Sequence, residues 1–305
     1  RNCHRGCCGR RTRVRTKKLA DLMRKEIAVL LFCALAAYPL VVLAAYCTQS
    51  YVIFQSRGIS QAPPPQFNID ERILTTPDGE LLHAWWLQIP HAEKTALYFQ
   101  ANGTNISYRP SRLKTFRKMG LNALMIDYRG YGKSTGRIKS EANIYTDGLT
   151  AWHFLTTTQE IPPEQIIIWG RSLGGGVATE IARSRNIAAL VLESSFFSLD
   201  EVARHQFWFL PTSRLLKFHY DNGRKLKDII APVVIIHSAE DDYIPFRHAA
   251  RLFAAAADPK FMLETTGSHL ETFDDRAPSV KALMRYLGLS GPNASRRPQQ
   301  INRGA

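Results

Sequence analysis

Read as a pattern of apolar and polar positions, the chain has two unlike parts. Residues 27–47 run IAVLLFCALAAYPLVVLAAYC, 21 residues without a charge. That is long enough to cross a hydrocarbon core as one helix, and Pro39 is tolerated in such a helix. Beyond it, short apolar runs alternate with stretches of helix length. The runs fall at 71–76, 80–89, 96–100, 123–127, 165–169, 188–193, 232–237 and 260–264. Pro77-Asp78-Gly79, between the first two, is a hairpin turn signal. Strands alternating with helices in this way predict a mostly parallel sheet with helices on both faces. The expected division is a basic segment 1–26, a transmembrane helix and flank 27–54, a linker 55–66 stiffened by Pro63-Pro64-Pro65, one α/β domain 67–289, and a basic tail 290–305.

Composition changes this picture little, but charge sharpens it. With 305 residues, 45% of them hydrophobic, the chain is long and apolar enough to bury a core, and disorder is excluded. The net charge of +14 invites a nucleic-acid or anionic-lipid reading. However, residues 1–26 hold ten Lys/Arg against two acids, and 291–305 hold three Arg and no acid. These ends account for +11, leaving +3 for everything between. The basicity therefore reads as topology, and no nucleic-acid partner is expected. Ten cations before the apolar run, against Arg57 alone just after it, place the N-terminus in the cytoplasm and the body across the membrane. Ala34-Leu35-Ala36 keeps open a cleaved signal sequence.

All five cysteines (Cys3, Cys7, Cys8, Cys33, Cys47) precede residue 48, so no disulfide framework supports the body. Cys3, His4, Cys7 and Cys8 fit no standard zinc spacing. Unpaired thiols are the default reading and juxtamembrane S-acylation the alternative.

The run at 165–169 leads directly into Gly170-Arg171-Ser172-Leu173-Gly174, followed by Gly175-Gly176-Val177-Ala178. This is G-x-S-x-G between a buried strand and a helix. Glycines there permit a sharp turn that lifts Ser172 above the sheet at a helix N-terminus. A nucleophilic serine needs a base, and the base needs an orienting acid. Downstream, the run VVIIH ends in an acidic turn with Asp241 and Asp242, and FMLE ends in Thr265-Thr266-Gly267-Ser268-His269. Each candidate lies at the C-terminal end of a strand, where sites in parallel sheets gather.

With these residues in place, the chain resembles the α/β-hydrolase superfamily over 67–289. It is similar to a branch of bacterial single-pass membrane serine hydrolases and eukaryotic protein depalmitoylases. The match rests on Asp127-Tyr128-Arg129-Gly130-Tyr131-Gly132-Lys133-Ser134, on 170–176, on 241–245 and on Gly267-Ser268-His269. The resemblance implies an α/β-hydrolase fold with a small aromatic cap insert. It implies Ser172 as nucleophile, Asp241 as acid with Asp242 as fallback, and His269 as base. Glu193 is another acid position, for which a structural role is the first reading. The implied oxyanion hole is the N–H of Leu173 with that of Asn102. Here the chain departs from the family: Gln100-Ala101-Asn102 stands where His-Gly-Asn is usual, which predicts altered loop geometry.

Gly132-Lys133-Ser134 is not a phosphate loop, because the required earlier glycine is Asp127. Phe196, Phe197, Phe207, Trp208, Phe209, Leu210, Leu215, Leu216, Phe218 and Tyr220 form an aromatic insert, either an acyl-accepting cap or the buried face of a helical excursion. Asn102 and Asn105 begin glycosylation sequons, which sit awkwardly on an oxyanion loop and favour a bacterial periplasm. The expectation is a membrane-anchored serine hydrolase cleaving ester or thioester bonds, with acylated or lipid-like substrates favoured. No cofactor or metal is expected. The alternative is a catalytically impaired hydrolase fold serving as a tethered binding module.

Overall fold

The computed structural model describes residues 8–56, 59–183, 185–269 and 278–289, with the main chain alone at 8–20 and 278–279. Cys3, His4, Cys7 and the tail 290–305 lie outside the described residues, as does the side chain of Cys8. The chain divides into two compact units, Arg1–Gln49 and Ser50–Ala305.

Helix α1, Cys8–Ile53, runs through Pro39. Its stretch Asp21–Ile53 is long and apolar enough for a membrane span or a signal sequence, and its most apolar window buries nothing. Leu30, Phe32, Leu35 and Leu40 all stand exposed.

The second unit is an eight-stranded sheet. Its strands are β1 Asp70–Thr75, β2 Leu81–Leu87, β3 Thr95–Phe99, β4 Asn122–Ile126, β5 Ile166–Arg171, β6 Ala189–Glu193, β7 Val233–Ser238 and β8 Lys260–Thr265. All fall within two residues of the apolar runs. The spatial order is β1-β2-β4-β3-β5-β6-β7-β8. β1 and β2 pair antiparallel, as do β2 and β4, and every other pair is parallel. The hairpin turn forms where the sequence placed it, with Gly79 at φ 86° donating to Thr76 O. Arg129 locks that turn by donating to both Asp78 oxygens, holding its carboxyl down at about 2.

The helices of this unit are α2 Pro110–Met119, α3 Glu141–His153, α4 Leu173–Ala182, α5 Leu199–Gln206, α6 Thr212–Leu215, α7 Asn222–Lys225, α8 Arg247–Ala255 and α9 Pro278–Tyr286. Strand alternation splits the core in two. Leu97, Phe99, Ile168 and Leu192 pack toward Ile144, Val177, Ile181 and Leu252 of α3, α4 and α8. Tyr98, Trp169 and Val191 face the other way, toward Leu113, Phe116 and Leu283 of α2 and α9. Both faces are covered, which is why the central strands read as unbroken apolar runs.

The insert between β6 and β7 carries α5, α6 and α7, and its aromatics divide. Phe196, Phe218 and Tyr220 are buried in the core, whereas Trp208 is 83% exposed at the tip of the excursion. Gln55 and Gln61, in the stretch read as a linker, donate main-chain hydrogen bonds to Asn102 and Ser107 of the body.

Candidate active site

The turn from β5 into α4 is as tight as its sequence suggests. Ser172 adopts φ 50° and ψ −117°, a conformation that side chains other than glycine rarely take. A Cβ on Gly170 would collide with Gly174 O and Ala178, and one on Gly174 would collide with Phe99 O and Gln100 O. The glycines are required by the close approach of main chain on both sides. Ser172 N–H donates to Glu193 O at 2.8 Å, tying the turn to the end of β6.

Three strand ends converge on this serine. His269, past β8, brings Nε2 to 3.1 Å from Ser172 Oγ. Its Nδ1 lies 2.7 Å from Asp241 Oδ2, past β7. Nδ1 donates to the carboxylate, which leaves Nε2 as the acceptor facing the hydroxyl. Asp241 Oδ1 accepts from the N–H groups of Tyr243 and Ile244 at 3.0 and 2.7 Å. Burial alone would raise the Asp241 carboxyl, but the hydrogen bonds from His269 and Ile244 outweigh it and hold it below the ordinary value. Asp242 faces solvent. The loops are also tied to each other: Ser238 Oγ donates to Gly267 O, and Gly267 N–H to Glu240.

Glu193 is buried away from His269, in an ion-pair cluster. Arg112 Nη2 lies 2.6 Å and Arg171 Nε 3.2 Å from its Oε1, and Trp169 Nε1 donates to Oε2. Burial would raise its carboxyl, but the two guanidiniums and Trp169 lower it. Arg171 also donates to His269 O at 2.9 Å, so the residue preceding Ser172 supports the loop that carries the imidazole. His237, near the end of β7, is a buried neighbour of the pair. Its Nε2 donates to Ile244 O at 2.7 Å and sits 3.4 Å from Asp241 Oδ2. Burial lowers its pKa, so it stays neutral beside the carboxylate.

Leu173 begins α4, where main-chain N–H groups have no intrahelical acceptor. The loop after β3 runs close against it, as the Gly174 contacts with Phe99 O and Gln100 O require. The departure at Gln100-Ala101 is absorbed locally. Gln100 Nε2 donates to Asp127 Oδ1 at 3.0 Å, and Tyr128 hydroxyl donates to Gln100 O. Ala101 is buried and is not among the residues with positive φ, so nothing at this position calls for glycine. Asn102 uses its carboxamide on Ile53, Gln55 and Tyr131, and Asn105 is fully buried, so both sequon amides are engaged. Among the described residues no group of three or more His, Cys, Asp or Glu is placed to hold a metal. A charged cleft lined by Arg183, Asp200, His219 and Arg224 touches none of Ser172, Asp241 and His269.

Comparison with known proteins follows the same lines. The alpha/beta hydrolase fold family matches residues 105–216. An uncharacterized protein of Mycobacterium tuberculosis H37Rv is 35% identical over 222 residues, covering 70% of this chain and 78% of that protein. The alpha/beta hydrolase domain-containing protein WAV2 of Arabidopsis thaliana is 32% identical, covering 66% of this chain and 72% of its own length. The chain belongs to the α/β-hydrolase family. An esterase of Pyrococcus furiosus, Pf2001, has the same fold, with a TM-score of 0.63 over 77% of this chain and 98% of that structure at 19% identity. For an α/β-hydrolase, the position of Ser172 at the strand–helix turn and of Asp241 and His269 at two later strand ends is the family's usual chain order.

Proposed function

We propose that this α/β-hydrolase is a membrane-anchored serine hydrolase of esters or thioesters, with acylated or lipid-like substrates favoured. The observation that carries the reading is the Asp241–His269–Ser172 relay, with hydrogen-bond distances of 2.7 and 3.1 Å, at a strained strand–helix turn. The esterase neighbours support the same reading.

In this mechanism His269 Nε2 removes the Ser172 proton as Oγ bonds to the substrate carbonyl carbon. The resulting oxyanion accepts from the N–H groups of Leu173 and Asn102. Asp241 fixes the imidazole tautomer and balances the imidazolium charge. Collapse breaks the carbonyl bond to the leaving oxygen or sulfur, which takes the proton from His269. Water, deprotonated by the same imidazole, then releases the acid and regenerates Ser172. These steps need no cofactor. Each oxyanion donor is worth roughly 10²–10³ in kcat.

The apolar span of α1 supports anchoring, and the cations of 1–26 support an N-terminus in the cytoplasm with the body in a bacterial periplasm. The test is labelling by a fluorophosphonate probe. We expect labelling of the wild type, and Ser172→Ala is expected to abolish it. No Ser172-dependent labelling of the folded protein would overturn the enzyme reading in favour of a tethered binding module.

A further inference from the structure

The residue proposed as second oxyanion donor has its side chain tied to a distant piece of chain. Asn102 Oδ1 accepts from Gln55 N–H at 3.1 Å and from the Tyr131 hydroxyl at 2.6 Å. Its Nδ2 donates to Ile53 O. One carboxamide thus pairs, donor to acceptor and acceptor to donor, with the main chain on either side of Phe54. That segment belongs to the same compact unit as the sheet. It is held there by packing: Ile53 and Phe54 lie against the core, and the Phe54 ring meets Phe218 edge-on at 4.8 Å. A second tie follows at Gln61 N–H, which donates to Ser107 Oγ at 3.1 Å across the far end of the same loop.

The loop needs such support on one side. Its start is fixed by Gln100 on Asp127 and by Tyr128 on Gln100 O. Immediately after Asn102, however, Gly103 sits at φ 100° with nothing within 4 Å of where a Cβ would be. The space on the side where a Gly103 side chain would project is therefore open. An oxyanion donor works only if its N–H is aimed within a few tenths of an ångström. The main-chain N–H of Asn102 is one bond from the Cα that carries the tied carboxamide, so holding the side chain restrains where the donor sits.

We infer that Ile53–Gln55 is a positioning strap for the oxyanion loop, acting through the Asn102 side chain. The inference rests on the hydrolase reading above. It makes turnover depend on the stretch that joins the apolar helix to the body. Cleavage of the chain just after Gln55 would slacken the loop and leave Ser172, Asp241 and His269 untouched.

The experiment uses the full chain in detergent, with p-nitrophenyl butyrate as substrate and an alkyl trifluoromethyl ketone as inhibitor. The ketone forms an oxyanion on the serine and so reads the donors directly, which a merely structural defect does not mimic. Gln55→Pro deletes the N–H that Asn102 accepts, whereas Gln55→Ala keeps it. We expect Gln55→Pro and Asn102→Ala to lower kcat at least tenfold and to weaken the ketone by the same factor, with KM changed less than twofold. Gln55→Ala should match the wild type. Should Gln55→Pro fail to fold, Tyr131→Phe removes a single hydroxyl from the same carboxamide and should shift kcat and ketone affinity together by about threefold. Folded variants with unchanged kcat and ketone affinity would overturn the strap alone. A wild type not labelled at Ser172 would overturn the hydrolase reading and the strap with it.

Discussion

At the scale of single residues, the site is a set of positions with no spare freedom. Gly170 and Gly174 are excluded from carrying a side chain by main-chain atoms, and Ser172 holds a sparsely populated conformation worth about 1–3 kcal/mol of strain. Both Asp241 oxygens are engaged, Oδ2 by His269 and Oδ1 by the N–H groups of Tyr243 and Ile244. Replacing it by Asn keeps the shape but lets the amide donate to Nδ1, so that Nε2 carries the proton and no longer accepts from Ser172. Asp241→Asn should lower kcat by about 10³-fold or more with little change in KM, as measured by steady-state ester hydrolysis. Its effect on stability has a definite sign. A carboxyl held below its ordinary value stabilises the fold at neutral pH, and that contribution is lost as pH falls through the native value.

At the scale of elements, the packing of α8 against the insert carries a pH dependence. His248 of α8 is buried, and its Nδ1 accepts from Phe197 N–H at 3.2 Å, so the proton sits on Nε2 and the ring is neutral. Burial lowers its pKa to about 4. Glu201 pulls it up, while Arg247, His237 and Arg251 push it down. Between about pH 6.5 and 4 the unfolded chain binds a proton at this site that the folded chain refuses. Stability therefore falls as pH drops through that window, by up to about 3 kcal/mol, and levels off below it. Asn at this position can still accept from Phe197 N–H without titrating. The stability gap between wild type and His248→Asn, from urea unfolding at pH 7.5 and 4.5, should therefore shrink by about 2.5 kcal/mol, most of that span. The buried-face reading of the insert holds for Phe218 and Tyr220, which are core, whereas Trp208 stands at the surface.

At the scale of the whole molecule, charge and apolarity are segregated along the chain. The two ends carry +11 of the net +14, and the uncharged run lies immediately after the more basic end. If the cations of 1–26 are retained in the cytoplasm, alkaline phosphatase fused at the C-terminus should be active in bacterial cells and a cytoplasm-only reporter should be silent. The reverse pattern would overturn the proposed orientation.

Much of this was legible without coordinates, for physical reasons that are local. Strand positions follow from apolar run length, the hairpin from Pro77-Asp78-Gly79, and the strained turn from glycines at fixed spacing around Ser172. Family chain order then ranks Asp241 and His269 after it. What the sequence could not decide were distances between segments far apart in the chain. Asp241 and Asp242 are neighbours with one chemistry, and only the curl of the β7 loop turns one inward to His269 and the other to solvent. Glu193 is an acid at a strand end like Asp241, but Arg112 and Arg171 reach it first. Asn102 reads as a loop residue until residues 47 to 49 positions earlier close on its side chain. By itself the sequence determined the elements and the chemistry available at their ends, because periodicity and turn geometry act over a few residues. The tertiary structure alone decided which groups meet, because that depends on how the sheet's crossovers bring distant strand ends to one edge.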